Sequence, residues 1–248
     1  MRCDVFFGIQ QVTPADVQSR CVAMIDVLRA STSVATALGN GARAVIPFES
    51  SEDAVLRAKN FARSEVKLAG ERKMHAIPGF DLGNSPRDFT REAVEGKTIL
   101  LTTTNGTPAL LGVQGARDVV IASYVNFSAI LAMLRAALRG GTEVAIICAG
   151  RDRQFSLEDA ACAGRYVRHV TRRLANIQCN DGALAAMYLD GRYRDELGRL
   201  FEDSAHGRAL LEAGYGEDLA ICGALDSTPV VPVYADRQIT MLGPDRER

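Results

Sequence analysis

Cys21-Val22-Ala23-Met24-Ile25-Asp26-Val27-Leu28-Arg29-Ala30-Ser31-Thr32-Ser33 is the stretch on which the reading of this chain turns. Residues 22–25 form an apolar run with no turn residue, the pattern of a strand buried on both faces, and the run ends abruptly in polar groups. Asp26, Arg29, Ser31 and Thr32 fall within seven residues, just ahead of an alanine-rich segment closed by Gly39-Asn40-Gly41. The order is strand, polar loop, helix. In open α/β sheets ligands bind outside the carboxyl ends of the strands, so a carboxylate, a guanidinium and hydroxyls at such a tip fit a metal or an anion. An aspartate and a serine here also serve as ordinary helix caps, and on these residues alone both readings stand.

The same logic repeats along the chain. Residues 98–101 run into Thr102-Thr103-Thr104-Asn105-Gly106-Thr107-Pro108, a buried strand that ends in hydroxyls and an amide, with a proline where a helix would begin. Residues 66–69 empty into Gly70-Glu71-Arg72, and residues 144–148 into Ala149-Gly150-Arg151. Ser156-Leu157-Glu158-Asp159 then opens a helix to about residue 174, where acids in the first turn suit the helix dipole whether or not they bind anything. Further strands are expected at 5–7, 44–48, 118–122 and 230–233, and helices at 50–63, 126–138, 183–189, 194–202 and 207–212. Pro47 argues for an edge or a strand end. Residues 73–87 carry Pro78, Gly79, Gly83 and Pro86, which forbid a regular element, and the loop is long enough to suggest a function. The expected fold is α/β, a layered sheet with helices packed on its faces. It is either one body over residues 1–248 or two lobes, about 1–140 and 141–248, with the site at the carboxyl tips of the strands.

Bulk properties narrow the function. A net charge of −1 gives no electrostatic footprint for nucleic acid or an anionic membrane, though local arginines can still hold an anionic substrate. Hydrophobic content of 47% and charged content of 24% are those of an ordinary globular protein. Cys3, Cys21, Cys148, Cys162, Cys179 and Cys222 include no Cys-x-x-Cys pair, and most sit in apolar company, as reduced cysteines do. With no apolar run suited to a signal or a membrane span, a cytoplasmic location is the expectation. His75, His169 and His206 are too scattered for a histidine-rich zinc site, so a metal would rest on oxygen ligands, which favours magnesium.

Four phosphate motifs nearly fit and fail. Gly96-Lys97-Thr98 has the ending of a phosphate-binding loop, but the first glycine of that motif would fall at Arg91. Cys148 lacks the arginine of a cysteine phosphatase, which would stand at Gln154. Asp26 lacks the second aspartate of the aspartyl-phosphate enzymes, where Leu28 stands, and Ala205 precedes His206 where a histidine phosphatase has arginine.

Taken in order, Ile25-Asp26-Val27-Leu28-Arg29-Ala30-Ser31-Thr32, Gly70-Glu71-Arg72, Gly79-Phe80-Asp81-Leu82-Gly83-Asn84-Ser85-Pro86, Thr102-Thr103-Thr104-Asn105-Gly106-Thr107, Cys148-Ala149-Gly150-Arg151 and Leu157-Glu158-Asp159 resemble the 2-phosphosulfolactate phosphatases. Cys162-Ala163-Gly164 and the late Val231-Pro232-Val233 are similar too, so the likeness spans nearly the whole chain. Two departures are a variant hydroxyl run at Ala30-Ser31-Thr32-Ser33 and a loop at 73–77 with fewer glycines than the family pattern.

The resemblance implies a magnesium-dependent acid phosphatase that hydrolyses (R)-2-phospho-3-sulfolactate to 3-sulfolactate and phosphate, a step towards coenzyme M. Such chemistry needs a divalent cation, donors around the phosphoryl oxygens and a positioned nucleophile. Asp26, Arg29, Glu71, Asn105 and Arg151 are the expected catalytic group, and Asp26, Asp81, Glu158 and Asp159 the expected Mg²⁺ ligands. Ser31, Thr32, Arg72, Asn84, Thr103, Thr104 and Thr107 are expected to bind the small anionic phospho-ester, with arginines holding phosphate, carboxylate or sulfonate by paired hydrogen bonds. Direct attack by water and a covalent route through Asp26 both remain open. So do a phosphatase acting on other small 2-phospho acids, a non-catalytic module for an anionic metabolite, and assembly as a homodimer.

Overall fold

The computed structural model describes residues 1–113, 115–172, 174 and 176–243. The strands are β1 (Cys3–Phe6), β2 (Cys21–Ile25), β3 (Ala44–Pro47), β4 (Val66–Arg72), β5 (His75–Ala76), β6 (Thr98–Thr102), β7 (Asp118–Ala122), β8 (Val144–Cys148), β9 (Pro232–Ala235) and β10 (Gln238–Met241). Among the described residues they form one ten-stranded sheet in the order β1-β8-β2-β7-β9-β10-β3-β6-β4-β5. The helices are α1 (Pro14–Val17), α2 (Ala30–Gly39), α3 (Ser51–Ala58), α4 (Arg91–Val94), α5 (Gly106–Leu111), α6 (Phe127–Arg139), α7 (Leu157–Thr171), α8 (Asp181–Tyr193), α9 (Leu197–Asp203), α10 (Ala205–Glu212) and α11 (Gly216–Cys222). The fold is α/β, as expected.

The sheet consists of two parallel blocks that run in opposite senses. β1, β8, β2 and β7 are mutually parallel. β3, β6 and β4 are parallel to one another. The β9–β10 hairpin joins the blocks through three antiparallel steps, β7 to β9, β9 to β10 and β10 to β3, which reverses direction. In a flat sheet the carboxyl ends of the two blocks would lie on opposite edges, about a strand length or ~17 Å apart. Instead the two blocks converge on a shared core. Val22 and Met24 of β2, Ile121 of β7, Ile239 of β10, Val45 of β3 and Ile99 of β6 share one core with Val34 of α2 and Leu110 of α5. The strands' alternate residues face outward, with Cys21, Ala23 and Ile25 packed on Ile130 and Leu134 of α6 and Val167 of α7. Leu100 of β6 packs with Ala54 of α3. Burial on both faces accounts for the continuous apolar runs in β2, β6 and β8.

Local readings fared well where a strand was long and apolar and less well elsewhere. Pro47 ends β3, as its missing N–H requires, although β3 is interior, between β10 and β6. The helix expected to reach residue 63 stops at Ala58. The stretch 73–87 is not wholly irregular, for it holds β5 and a 3-10 turn at Pro86–Asp88. The last strand begins at Pro232 and turns back into β10, an element too short and polar to announce itself, and α11 adds a further helix. β8 lies between β1 and β2, so a boundary near residue 140 passes through the first parallel block. All six cysteines are free thiols. No helix of the described residues is long and apolar enough to cross a membrane.

Candidate active site

The tips of β2, β4, β6 and β8 line one cleft of about 150 Å³, together with His206 from α10. Asp26 follows directly on β2. Its N–H donates to Ser31 Oγ (2.8 Å), and its Oδ1 accepts the Ala30 N–H (3.3 Å), so this carboxylate does brace the start of α2. It also faces the cleft. The helix-bracing role uses Oδ1, and Oδ2 has no hydrogen-bond partner among the described residues. Burial, reinforced by Glu71 and Glu158, pushes the Asp26 carboxyl up to about 6, against lowering by His206 and the Ala30 N–H. Gly106 makes this approach possible: a Cβ there would stand 2.8 Å from Asp26 Oδ2.

Arg29 is 3% exposed and held from three sides. One terminal nitrogen donates to Asp218 Oδ2 at 2.8 Å, the other to the Met74 carbonyl at 2.7 Å, and the guanidinium lies 4.3 Å from the centre of the Tyr215 ring. Asp218 is wholly buried and also accepts from Ser85 Oγ at 2.7 Å. The carboxylate of Glu71 is spent on the backbone, accepting the Thr104 N–H (2.7 Å) and the Met74 N–H (2.9 Å). It therefore clamps the β6 tip to the β4–β5 turn. Asn105 Oδ1 accepts the Asp152 N–H at 2.9 Å, which ties the β6 tip to the β8 tip. Arg151 donates to the Ala205 carbonyl at 2.9 Å, which anchors that arginine to α10. Asn84 lines the cleft at 5% exposure, and its Oδ1 has no partner among the described residues.

Glu158 and Asp159, the expected metal ligands at the start of α7, each bond within the protein. Asp159 accepts the Val27 N–H (2.8 Å) and the Gly150 N–H (3.2 Å), one on each oxygen, and so stitches the tips of β2 and β8 together. Its carboxyl is raised by burial and by the charges of Glu158 and Asp26. Glu158 holds His206 Nδ1 at 3.2 Å. Burial would raise its carboxyl, but the hydrogen bond and charge of His206 bring it below the usual range. Cys148 is completely buried and its thiol is pushed well up by that burial, so it is no nucleophile.

Other expected residues do not reach the cleft. Asp81 pairs with Arg63 (2.6 Å) and Lys67 (3.6 Å) and accepts the Leu68 N–H (2.9 Å), beside the early part of β4 and away from its tip. Arg72 turns outward onto the carbonyls of Glu71 and Glu49. Ser31, Thr32 and Thr107 spend their hydroxyls on the Asp26 N–H, the Val27 carbonyl and the Thr103 carbonyl. They hold the tips in shape. Thr103, Thr104, Asn105 and Asn84 do line the cleft. Lys73, Asp218 and Tyr215 were not singled out from the sequence, and His206 was weighed there only to be set aside. Three of these four lie in the short helices after residue 180 or just before them, where nothing local shows that a helix is returning to the strand tips.

No group of three or more His, Cys, Asp or Glu side chains among the described residues could cage a metal ion. Magnesium does not need one, since it keeps several waters and binds through one or two carboxylates and substrate phosphate. Asp26, with Oδ2 unspent on the protein, suits that mode; Glu158 is bonded to His206 through Oε1, and both oxygens of Asp81 and of Asp159 are engaged within the protein.

A family model described as 2-phosphosulpholactate phosphatase matches residues 8–237. A probable 2-phosphosulfolactate phosphatase of Synechococcus sp. (strain JA-2-3B'a(2-13)) is 42% identical over 94% of this chain and 95% of its own. That of Symbiobacterium thermophilum is 40% identical over 93% of this chain and 98% of its own. That of Caldanaerobacter subterraneus subsp. tengcongensis is 38% identical over 89% and 90%.

Proposed function

Since the chain belongs to the 2-phosphosulpholactate phosphatase family, and so to the phosphatases, we propose that its substrate is (R)-2-phospho-3-sulfolactate, cleaved with the help of magnesium to 3-sulfolactate and phosphate. The observation that carries this reading is the meeting of Asp26, Arg29, Asn84, Asn105, Arg151 and His206 around one small cleft. A hydrolase for a small multiply charged phospho-ester needs that mixture of carboxylate, fixed cations and neutral donors.

Arg29, immobilised by Asp218, Met74 and Tyr215, neutralises charge on the phosphoryl oxygens without having to reorganise. Arg151 takes a second anionic group. His206, aligned by Glu158, is placed to protonate the ester oxygen as its bond to phosphorus breaks under attack by water. Magnesium, when bound, would be held by Asp26 and would supply charge neutralisation at the phosphoryl group.

The test is phosphate release over a panel of 2-phospho acids with and without a sulfonate, in magnesium and in chelator. The expected result is the highest kcat/KM on the sulfonated ester and loss of turnover on chelation. Equal kcat/KM across the panel would replace the substrate by 2-phospho acids in general. Binding of the esters without phosphate release would replace the enzyme by a binding module.

A further inference from the structure

Two arginines and one lysine line the cleft among the described residues, Arg29, Arg151 and Lys73, and they are not equivalent. Both terminal nitrogens of Arg29 already donate within the protein, and Arg151 is tethered to the Ala205 carbonyl. The ammonium of Lys73 makes no hydrogen bond or ion pair among the described residues. Its backbone, in contrast, is pinned. Arg72 and His75 pair across the β4–β5 hairpin, so Lys73 and Met74 form a two-residue turn. Both have positive φ, +50° and +72°, as a type I′ turn requires. Met74 donates its N–H to Glu71 and accepts from Arg29. A fixed Cα beside the site thus carries an exposed, uncommitted charge on a flexible stem.

We propose that Lys73 is a specificity-determining residue that binds the acidic group carried on C3 of a 2-phospho acid. This rests on the phosphatase reading above and deepens it. Such a substrate presents a phosphoryl group, a carboxylate on C2 and, in the sulfonated case, a third anion on C3. Planar, tethered guanidinium groups suit the first two, which need defined paired hydrogen bonds near the reacting atoms. An ammonium is a compact, strongly hydrated point charge without a preferred plane, suited to a tetrahedral or freely rotating anion at the mouth of the cleft.

The experiment compares wild type with Lys73→Asn, which tolerates a positive φ, on three esters: 2-phospholactate with a methyl at C3, 2-phosphomalate with a carboxylate there, and 2-phospho-3-sulfolactate. The proposal expects KM for one or both C3 acids to rise about fivefold in the variant, the scale of a solvent-exposed charge pair, with kcat unchanged. KM for 2-phospholactate stays the same, and Lys73→Arg restores the wild-type preference. Which acid responds tells carboxylate from sulfonate. An equal KM rise on all three esters, or no rise on any, overturns the assignment while leaving the phosphatase reading intact. If wild type turns over none of the three, both fall together.

Discussion

Asp218 is the group on which the arginine of the site depends, and its removal makes a sharp test. In Asp218→Ala the buried Arg29 guanidinium loses the carboxylate at 2.8 Å and keeps only the Met74 carbonyl and the Tyr215 ring. The pair is desolvated, with side-chain exposures of 2% and 0%. Breaking a buried ion pair by deleting one partner costs about 3–5 kcal/mol, because the remaining charge stays uncompensated. For a chain of this size each kcal/mol moves Tm by about 2–4 °C, so the expected fall is about 6–20 °C, read by circular dichroism. Turnover should fall about 10²-fold as well, since an arginine displaced by even 1 Å no longer meets the developing charge. Adding Arg29→Met to Asp218→Ala removes the orphaned cation and should recover stability without recovering activity. Glu217→Gln, one residue away on the surface of the same helix, is the control and should change neither. If Asp218→Ala lowers Tm no more than that control does, or if the double variant is no more stable than Asp218→Ala alone, the network does not hold Arg29 as argued.

Asp26→Asn should abolish phosphate release while raising stability. Its folded pKa of about 6 lies above the ordinary 3.8, so the carboxyl favours the fold while protonated and loses that favour as pH rises from 3.8 through 6. Metal-free Asp26→Asn is therefore expected to gain up to about 3 kcal/mol at pH 7.5 and almost nothing at pH 3.5, by urea titration at each pH. His206→Gln should lower kcat about 10²-fold or more on an alkyl phospho-ester and far less on p-nitrophenyl phosphate, whose leaving group needs no proton. An equal loss on both would remove the proton-donor role. Gly164→Ala should destabilise the α7–α8 contact by about 3 kcal/mol or more, because its Cβ would stand 1.9 Å from the Ala186 carbonyl oxygen, backbone that cannot step aside. A Tm within a degree of wild type would show that the two helices can separate at little cost.

What the sequence determined by itself was local. β2, β7 and β8 were legible to the residue, because strands buried on both faces read as uninterrupted apolar runs. The polar tips that follow them were legible because an aspartate, a threonine run or an arginine directly after such a run has to lie at the edge of the sheet. Only the tertiary structure decided which partners those polar groups take within the protein. Asp26, Glu71, Asp81, Glu158 and Asp159 look alike as carboxylates at tips. They diverge because Asp159 and Glu71 are spent on backbone N–H groups, Asp81 on Arg63 and Lys67, and Glu158 on His206. Those partners stand far away in the chain, and no periodicity encodes them. The structure also decided that the tips meet at all, since the two parallel blocks run in opposite senses across the β9–β10 hairpin and yet β2, β4, β6 and β8 line one cleft. Pattern and propensity act over a few residues, whereas the direction of a distant strand and the partner of a buried charge are set by packing across the whole core.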